Sequence, residues 1–543
     1  MTAQDPSIPH AGFPRVLLAY RSGRPGAGDY FARMLPVGLG YIQATLREDG
    51  VESALANLSR VSWDQTRRLL ERERPDVLGL TMYTFNRHPS LRLASLARRA
   101  NPACVVVAGG PHATHVGASL LRACSDLTAI ALGEGELTMR DLVRAMRDGT
   151  PLSEVAGLLV RGPSGEPVPT APRPVAPVLD ALPWPGRHHS GHHLDVESET
   201  SFLITSRGCP ARCTFCNTPD FWGTRMRFRS PAHMLEEMRW LRENLGSLSF
   251  NIRDDTFTVN KRRVVEFCER LVEARLDVRW GCQSRVNAID EERLAWMRRA
   301  GCDYIQYGIE SGSERLLQRL AKDITLDEIR AAAAATRRVG MGLSIYLISG
   351  IPGETARDHE ETEALLREIL PHDGIVAPLA VFPGTHLYEE MKRDGAMRDE
   401  DWLTEKRHTI YLMEGDAGRR SFQRLARLCA RVGRAARYTR TDREEHKRRL
   451  PDAFPSWLAS AEAHEAEGRP GPALEDYTEV LARWPGHVWA LIGAGRLLLA
   501  TGDRAGAALY LDQAVAAVPR SAIVAALHAA TARGTRDRRE ARA

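Results

Sequence analysis

The sequence predicts an α/β fold, in which a Rossmann-like parallel sheet is followed by a partial (β/α)6 barrel and an all-α repeat region. Three observations support this. Apolar, strand-like runs alternate with amphipathic stretches over the first ~160 residues, the alternation resumes with a longer period at residue 201, and only helical patterns follow residue 418. We divide the chain into six segments: 12–160, 161–198, 199–412, 413–455, 456–520 and 521–543.

The composition is ordinary for a globular protein, with 543 residues, 43% hydrophobic and 26% charged. The net charge of +5 gives no argument for nucleic acid as a partner. No run of 18 apolar residues occurs and the start lacks a signal-peptide pattern, so we expect no membrane span and a cytoplasmic location. Nine cysteines are too few for a disulfide scaffold, and clustered cysteines in a reducing compartment indicate metal.

The first segment has strand-like runs at 15–20, 76–84, 104–110 and 127–136, with helical stretches around 39–48 and 90–100 between them. Such alternation predicts a parallel sheet covered on both faces. Ligands bind at the carboxyl ends of the strands in these sheets, where this segment places its glycines. A sheet without a ligand is the alternative.

Residues 162–185 contain eight prolines, which predicts a semi-rigid linker or strap. Four histidines follow: His188, His189, His192 and His193. No predicted helix or strand fixes a coordination geometry for them, so we expect surface or substrate-contacting side chains rather than a metal site.

The third segment has strand candidates at 201–208, 247–255, 278–286, 304–312, 342–350 and 374–384. Helical patterns lie between them at 231–245, 260–275, 290–300, 325–339 and 355–370. Six βα units fit a partial barrel. A second open sheet is the alternative.

The C-terminal part is helical. Five arginines fall on one helix face, which usually indicates a solvated surface: Arg420, Arg424, Arg427, Arg431 and Arg434. Further on, Gly468, Ala473 and Pro485 recur 34 positions later as Gly502, Ala507 and Pro519. This period is typical of two tetratricopeptide repeats, which we expect to pack on the preceding domain.

Three closely spaced cysteines, Cys209, Cys213 and Cys216, form a C-x3-C-x2-C run directly after the first barrel strand candidate. Three thiolates on one short loop suit an iron–sulfur cluster. They leave one iron of a four-iron cluster open to a substrate or cofactor. Structural zinc needs a fourth ligand, and the next cysteine, Cys268, lies in a predicted helix about fifty residues away.

This run resembles the cluster motif of radical S-adenosylmethionine (SAM) enzymes, including the aromatic Phe215 before the third cysteine. The resemblance assigns SAM contacts to Arg285, to Glu310 and Ser311, and to Gly350, Pro352 and Gly353 of a GxPGE-like segment. Asp254 and Asp255 stand where the family often has a Gly-Gly-Glu-like element, and this departure leaves them weak catalytic candidates. Tyr307 is a third weak candidate, on a strand whose carboxyl end reaches the cofactor rim, and core packing is its alternative role. All these segments fall at the carboxyl ends of strand candidates, the face that carries active sites in barrels.

The first segment is similar to the cobalamin-binding domain that precedes the barrel in one branch of this superfamily. The resemblance assigns cobalamin contacts to Gly38, Gly109, Gly110, Pro111, His112, Glu134 and Gly135. Many cobalamin domains carry an Asp-x-His-x-x-Gly motif, which this sequence lacks. The resemblance therefore implies water or no ligand below the cobalt, and a domain that has lost cobalamin is the alternative.

The resemblance implies a cobalamin-dependent enzyme in which a [4Fe–4S] cluster cleaves SAM to a 5′-deoxyadenosyl radical, and a methyl group is added to an unactivated carbon. A cyclase or rearrangement enzyme of the same architecture is the alternative. We expect a small-molecule or carrier-bound substrate, a reductant such as flavodoxin or ferredoxin, and a possible protein partner at the repeats.

The cysteines argue against two further hypotheses about the function. Methylthiotransferases resemble this barrel but have three extra cysteines in the N-terminal domain, where this chain has Cys104 and Cys124. The intact cysteine triad argues against a scaffold protein with an inactive barrel.

Overall fold

The computed structural model describes residues 13–22, 35–403 and 415–540, with side chains omitted for 415–418 and 532–540. The predicted segment boundaries at 12, 412, 413 and 543 lie outside these residues. The chain packs as two compact units. Among the described residues, the first unit comprises 13–22, 35–200, 207–228 and 380–403, and the second comprises 201–206, 229–379 and 415–540.

The strands are β1 Val16–Tyr20, β2 Ser53–Asn57, β3 Val77–Thr81, β4 Val105–Gly109, β5 Ala129–Ala131, β6 Leu158–Arg161, β7 Pro167–Pro169, β8 Gly191–His192, β9 Phe202–Leu203, β10 Ser206–Arg207, β11 Arg227–Phe228, β12 Ser249–Ile252, β13 Arg279–Ser284, β14 Cys302–Glu310, β15 Gly342–Ser349 and β16 Asp373–Pro378.

The helices are α1 Val37–Glu48, α2 Trp63–Glu73, α3 Arg87–Ala100, α4 Pro111–Ala123, α5 Glu136–Asp148, α6 Val196–Thr200, α7 Thr218–Trp222, α8 Pro231–Leu245, α9 Lys261–Glu273, α10 Glu291–Arg299, α11 Glu314–Arg319, α12 Leu326–Arg338, α13 Ala356–Ile369, α14 His386–Arg393, α15 Gly415–Ala435, α16 Arg440–Arg449, α17 Phe454–Ala466, α18 Pro470–Arg483, α19 Val488–Thr501, α20 Arg504–Ala517 and α21 Ala522–Glu540.

The first unit is built on an eight-stranded sheet in the order β7-β6-β5-β4-β3-β1-β2-β8. Strands β1 to β5 and β8 are parallel, and β6 and β7 extend one edge in antiparallel fashion. The central strands are aliphatic and buried on both faces, as in β1, all five residues of which are buried. The Pro-rich segment adds β7 at the sheet edge, where a missing backbone N–H is tolerated.

The histidine-rich segment also joins this sheet, because β8 pairs with β2. The His189 Nε2 lies 2.7 Å from a carboxylate oxygen of Glu199, and the two side chains are 4% and 0% exposed. The expected surface position is therefore wrong for His189, and a substrate contact, the other part of the expectation, stays a prediction. Glu199 also accepts hydrogen bonds from the Leu35 backbone and the Asn57 amide, so it fixes the entry to α1.

The second unit contains a six-stranded parallel sheet in the order β16-β15-β14-β13-β12-β9, an open (β/α) barrel. One face of this sheet packs against the helices through alternate apolar side chains, such as Trp280, Ile305 and Ile345. The opposite face, which we call the inner face, carries the intervening residues. These are polar on neighbouring strands: Asn251, Gln283, Tyr304, Gln306, Ser344 and Tyr346.

The C-terminal helices reproduce the predicted 34-residue period, because α18 and α20 begin and end 34 positions apart. These helices pack, as expected, on the rest of their unit, at the edge where its strands begin. Glu462 pairs with Arg279 at the start of β13 (2.6 Å), and the Tyr438 hydroxyl donates to the carbonyl of Met341 just before β15 (2.7 Å). The repeats therefore cover the end of the barrel opposite to its strand carboxyl ends.

Candidate functional site

The three cysteines of the C-x3-C-x2-C run lie in one closed loop between β10 and α7 in the first unit. Cys209 and Cys213 are 8% exposed, and Cys216 is half-buried. The loop closes where the Cys209 amide donates to the Gly223 carbonyl (3.2 Å). Gly208 has φ +98°, and a Cβ there would lie 2.6 Å from the Arg225 carbonyl oxygen, so this position requires glycine.

The donor set of this loop fits an iron–sulfur cluster, since three thiols lie within eight residues and two of them are shielded from water. Among the described residues, no group of three His, Cys, Asp or Glu side chains is arranged to hold one metal ion. A cluster binds each thiolate through a different iron, so its ligands stand further apart than those of a single ion. The aromatic Phe215 is half-buried within the same loop.

Two arginines at the ends of this loop pair with carboxylates on the turn between β5 and α5. Arg207 contacts Glu134 at 2.8 Å and Glu136 at 2.5 Å, and Arg227 contacts the other oxygen of Glu134. The guanidinium of Arg207 also lies over the Trp222 ring, 4.7 Å from its centroid. Burial lowers the pKa of Arg207, but the Glu136 and Glu134 carboxylates outweigh it and hold that pKa above its ordinary value.

Asp254, in the second unit, is 1% exposed and follows β12. Its carboxylate accepts hydrogen bonds from the backbone amide of Thr205 at 2.6 Å, from the Thr205 hydroxyl, and from the Ser206 hydroxyl at 2.7 Å. Arg263 donates to the Thr205 carbonyl at 2.8 Å. Asp254 therefore organises the strand that leads into the cysteine loop, whereas Asp255 is exposed.

The carboxyl end of β14 carries a buried ion pair. The Nζ of Lys322 lies 2.7 Å from a carboxylate oxygen of Glu310, and the two side chains are 7% and 8% exposed. Glu310 has φ +61°, a left-handed conformation that is costly for a residue with a side chain. Arg285 donates to the carbonyls of Lys322 and Asp323, so the predicted SAM residues Arg285 and Glu310 are both held by the same short segment.

Ser311 packs on α13, and the GxPGE-like segment leads into the start of that helix. The Ser311 hydroxyl lies 3.3 Å from that of Thr362, and the Gly312 amide donates to the same hydroxyl at 2.9 Å. Gly350 and Gly353 both have positive φ, and the Glu354 carboxylate accepts from the Gly350 amide at 2.7 Å. This segment, which includes Pro352, is thereby fixed as a rigid turn at the end of β15.

Tyr307 lies on the face of β14 that packs against the helices. It is 1% exposed, and its hydroxyl is 3.0 Å from that of Thr336 on α12. Burial raises its pKa. The inner face at this level is instead formed by Gln306 and Tyr346, and Gln283 donates to the Tyr346 hydroxyl at 2.9 Å.

The glycines of the first unit cluster at the carboxyl edge of its sheet. Helices α1, α4 and α5 all begin at this edge, and their N-caps, Pro36, Gly110 and Gly135, provide no side-chain hydrogen bond to the first turn. A Cβ built at Gly38 or at Gly133 would meet no atom within 4 Å. Helix N-termini and open space beside small residues fit the phosphate-bearing tail of cobalamin.

His112 lies at this edge but is 1% exposed. Its Nδ1 is 3.1 Å from the Thr84 hydroxyl. Its ring packs edge-on against the Trp402 ring, with the two ring centroids 5.6 Å apart. The Nε2 atom of His112 is buried without a hydrogen-bond partner. Burial, reinforced by the Arg87 charge, lowers the pKa of His112 to about 3, so this ring is neutral at physiological pH. Gly109 and Pro111, the other residues predicted here, flank the start of α4.

Comparison with known proteins identifies the family to which the chain belongs. Residues 203–366 match the profile of the radical SAM superfamily, residues 24–143 that of the B12 binding domain, and residues 465–531 a tetratricopeptide repeat. An uncharacterized methyltransferase of Pyrococcus horikoshii is 30% identical over 68% of this chain and 80% of its own length. The chain belongs to the radical SAM superfamily. It is a cobalamin-binding radical SAM enzyme of the methyltransferase and cyclase group, and its cofactors are a [4Fe–4S] cluster, SAM and cobalamin.

Relatives with other named activities also match the chain. The anaerobic magnesium-protoporphyrin IX monomethyl ester cyclase of Rubrivivax gelatinosus is 27% identical over 69% of this chain and 70% of its own. Among solved structures, the radical SAM methyltransferase TsrM of Kitasatospora setae aligns with a TM-score of 0.62, 20% identity and coverage of 71% and 78% of the two chains. The cobalamin-dependent radical enzyme OxsB aligns with a TM-score of 0.62 and 16% identity over 97% of this chain and 84% of its own, which confirms the fold.

Sequence reasoning missed several residues of this radical SAM chain that support the predicted ones: Thr205, Arg207, Arg227, Lys322 and Thr362. No sequence signal marks them, since each acts through a partner distant in the chain, as Arg207 does through Glu134. Within the described residues, every helix is too short or too polar to cross a lipid bilayer.

Proposed function

We propose that this enzyme is a cobalamin-dependent radical SAM methyltransferase that adds a methyl group to an unactivated carbon. The single observation that carries the proposal is the placement of the cysteine loop. The loop shares one compact unit with the glycine-lined sheet edge, and buried ion pairs join the two. A methyl-transfer reaction that uses both cofactors needs this proximity.

The proposal assigns residues as follows. Cys209, Cys213 and Cys216 would hold the cluster, the turns that follow β13, β14 and β15 would hold SAM, and the edge formed by α1, α4 and α5 would hold cobalamin. When bound, the cluster supplies the electron that cleaves SAM, and cobalamin carries the methyl group. Segments 12–160 and 199–412 are accordingly the proposed cobalamin and radical domains.

The chain's own residues would orient these groups and limit access of water. The turn at Gly350 is rigid because Glu354 bonds its amide, and the strained Glu310 is held by Lys322. Asp254 fixes the strand that enters the cysteine loop. We assign Asp254 a positioning role rather than a proton-transfer role, because its two oxygens already accept three hydrogen bonds.

The polar side chains on the inner face of the barrel indicate what kind of substrate the enzyme takes. Interiors of barrels are usually filled by branched aliphatic side chains, whereas this one has amides and hydroxyls in a connected network: Gln306 donates to Ser344 at 3.0 Å, and Gln283 to Tyr346. We therefore infer a substrate that presents hydrogen-bonding groups toward the sheet. A cytoplasmic location, with a flavodoxin or ferredoxin as reductant, belongs to the same proposal because the cysteine thiols must stay reduced.

The competing function is a cyclase or rearrangement reaction, which the identity to the Rubrivivax enzyme favours. The two are separated by the products of SAM in an anaerobic reaction with hydroxocobalamin, dithionite and SAM labelled in its methyl group. A methyltransferase forms both 5′-deoxyadenosine and S-adenosylhomocysteine. Formation of 5′-deoxyadenosine alone would favour the cyclase. A Cys213→Ala variant, which lacks one proposed cluster ligand, is the negative control.

A further inference from the structure

The two ends of the cysteine loop are fastened to one turn of the first unit. Arg207 precedes the loop and Arg227 follows it, and both reach Glu134, which binds each arginine through a different carboxylate oxygen. Glu136 pairs with the second terminal nitrogen of Arg207 at 2.5 Å. All four side chains are less than a tenth exposed. We call these four residues the clamp.

The clamp is held by contacts beyond its charges. The guanidinium of Arg207 lies 5.3 Å from the ring centroid of Tyr41 and 4.7 Å from that of Trp222. Arg227 also donates to the Ala176 carbonyl at 2.9 Å. Two cations balance two carboxylates in a buried site, so the removal of one partner leaves an uncompensated charge. Movement of the turn that bears Glu134 and Glu136 therefore requires movement of both ends of the loop.

That turn is also part of the glycine-lined edge. Gly133 and Gly135 flank Glu134, a Cβ at Gly133 would meet open space, and the first turn of α5 begins at Glu136. A ligand seated on this edge contacts the same short segment that carries the clamp carboxylates. The segment is thus shared between a ligand site on one side and the cysteine loop on the other.

We propose that the clamp couples the two cofactor sites, so that cobalamin on the sheet edge and the cluster in the cysteine loop each strengthen binding of the other. The cobalamin half of this inference rests on the proposed function. By linkage, a coupling of this kind is reciprocal and typically amounts to about fivefold or more in affinity. Glu134, Glu136, Arg207 and Arg227 are positioning residues in this view.

The test compares Glu134→Gln, which removes the charge and keeps the volume, with Glu237→Gln as a matched control. Glu237 forms an equally buried pair with Arg229, at 2.5 Å and with side chains 3% and 2% exposed, in the second unit. The dissociation constant of hydroxocobalamin is measured anaerobically on cluster-loaded and cluster-free protein. We expect loading to tighten binding at least fivefold in the wild type and in Glu237→Gln, and to change it less than twofold in Glu134→Gln.

A second readout needs no cofactor. In the apoprotein, Glu134→Gln should accelerate amide hydrogen exchange across 207–228 at least tenfold. Glu237→Gln should accelerate exchange chiefly in α8, and by less than threefold across 207–228, because its partner Arg229 follows the loop and bonds the Thr205 carbonyl through its backbone amide. Arg227→Lys, which keeps the charge, repeats both measurements if Glu134→Gln does not fold. Equal cobalamin affinity with and without the cluster in wild type would overturn the clamp alone. A wild type that binds no cobalamin would overturn the proposed function, and unchanged exchange in 207–228 would then also overturn the clamp.

Discussion

The carboxylate of Asp254 accepts the backbone amide of Thr205 in a buried hydrogen bond of 2.6 Å that spans 49 residues of sequence. The same carboxylate accepts hydrogen bonds from the hydroxyl groups of Thr205 and Ser206. These bonds replace the hydrogen bonds to water that the three polar groups lose when they are buried. Through this contact the end of β12 determines the course of the strand that enters the cysteine loop.

Replacement of Asp254 by asparagine should destabilise the protein by about 3 kcal/mol, because an amide nitrogen would face groups that donate to the carboxylate. Asp255→Asn, at the exposed neighbour, should stay within about 0.5 kcal/mol of wild type. Chemical denaturation of the apoprotein measures both. A loss of activity in Asp254→Asn at unchanged stability would contradict the positioning role and restore Asp254 as a catalytic candidate.

The pair of Lys322 and Glu310 should govern SAM affinity. Lys322→Met leaves the Glu310 charge buried and unpaired next to a strained backbone, and we expect the SAM dissociation constant to rise at least tenfold. The double variant with Glu310→Gln should be less impaired than the sum of the single variants, because neither residue then leaves a lone charge. Lys261→Met, at an exposed lysine, is the control. Strict additivity would show that the pair does not act as a unit.

His112 gives a pH dependence with a defined sign. The buried ring stays neutral down to about pH 3, whereas in the unfolded chain it takes a proton below about pH 6.5. The unfolded state binds more protons in that window, so stability falls as the pH falls, by up to about 1.4 kcal/mol per pH unit from this group. His112→Gln should reduce the slope by that amount between pH 6 and 4. An unchanged slope in apoprotein denaturation would refute the buried neutral ring.

The cysteine loop should hold iron through all three thiolates. Cys209→Ala, Cys213→Ala and Cys216→Ala should each lose most of the iron and labile sulfide after anaerobic reconstitution, because alanine supplies no ligand atom in place of the thiolate. Cys282→Ala, at a buried cysteine of β13, should retain both. An alanine variant of the loop with full iron content would remove that cysteine from the ligand set.

Much of this architecture follows from local sequence. Helix α8 begins and ends at the predicted residues, since Ser230 caps it, Pro231 occupies its first position and Gly246 ends it in the left-handed conformation. Strand β2 was not predicted, because its five residues, Ser-Ala-Leu-Ala-Asn, have low strand propensity and form a strand only beside β1.

Only part of the functional site could be predicted from the sequence, for a related reason. The cysteines and the glycine turns act through local geometry, so their spacing identified them. Glu134 and Asp254 instead have partners 73 and 49 residues away in sequence, and nothing near either residue indicates those partners. Tyr307 shows a third limit. Successive residues of β14 point to opposite faces of the sheet, so Gln306 lies on the inner face and Tyr307 packs against the helices, and the sequence alone did not decide between the two faces.

The central claim is that one chain holds both cofactors. Anaerobic protein is reconstituted with iron, sulfide and hydroxocobalamin, desalted, and analysed for iron, sulfide and corrinoid in one sample. We predict about four irons and about one cobalamin per chain. Iron without cobalamin would contradict the claim while leaving the radical SAM barrel intact, and the absence of both would contradict the account as a whole.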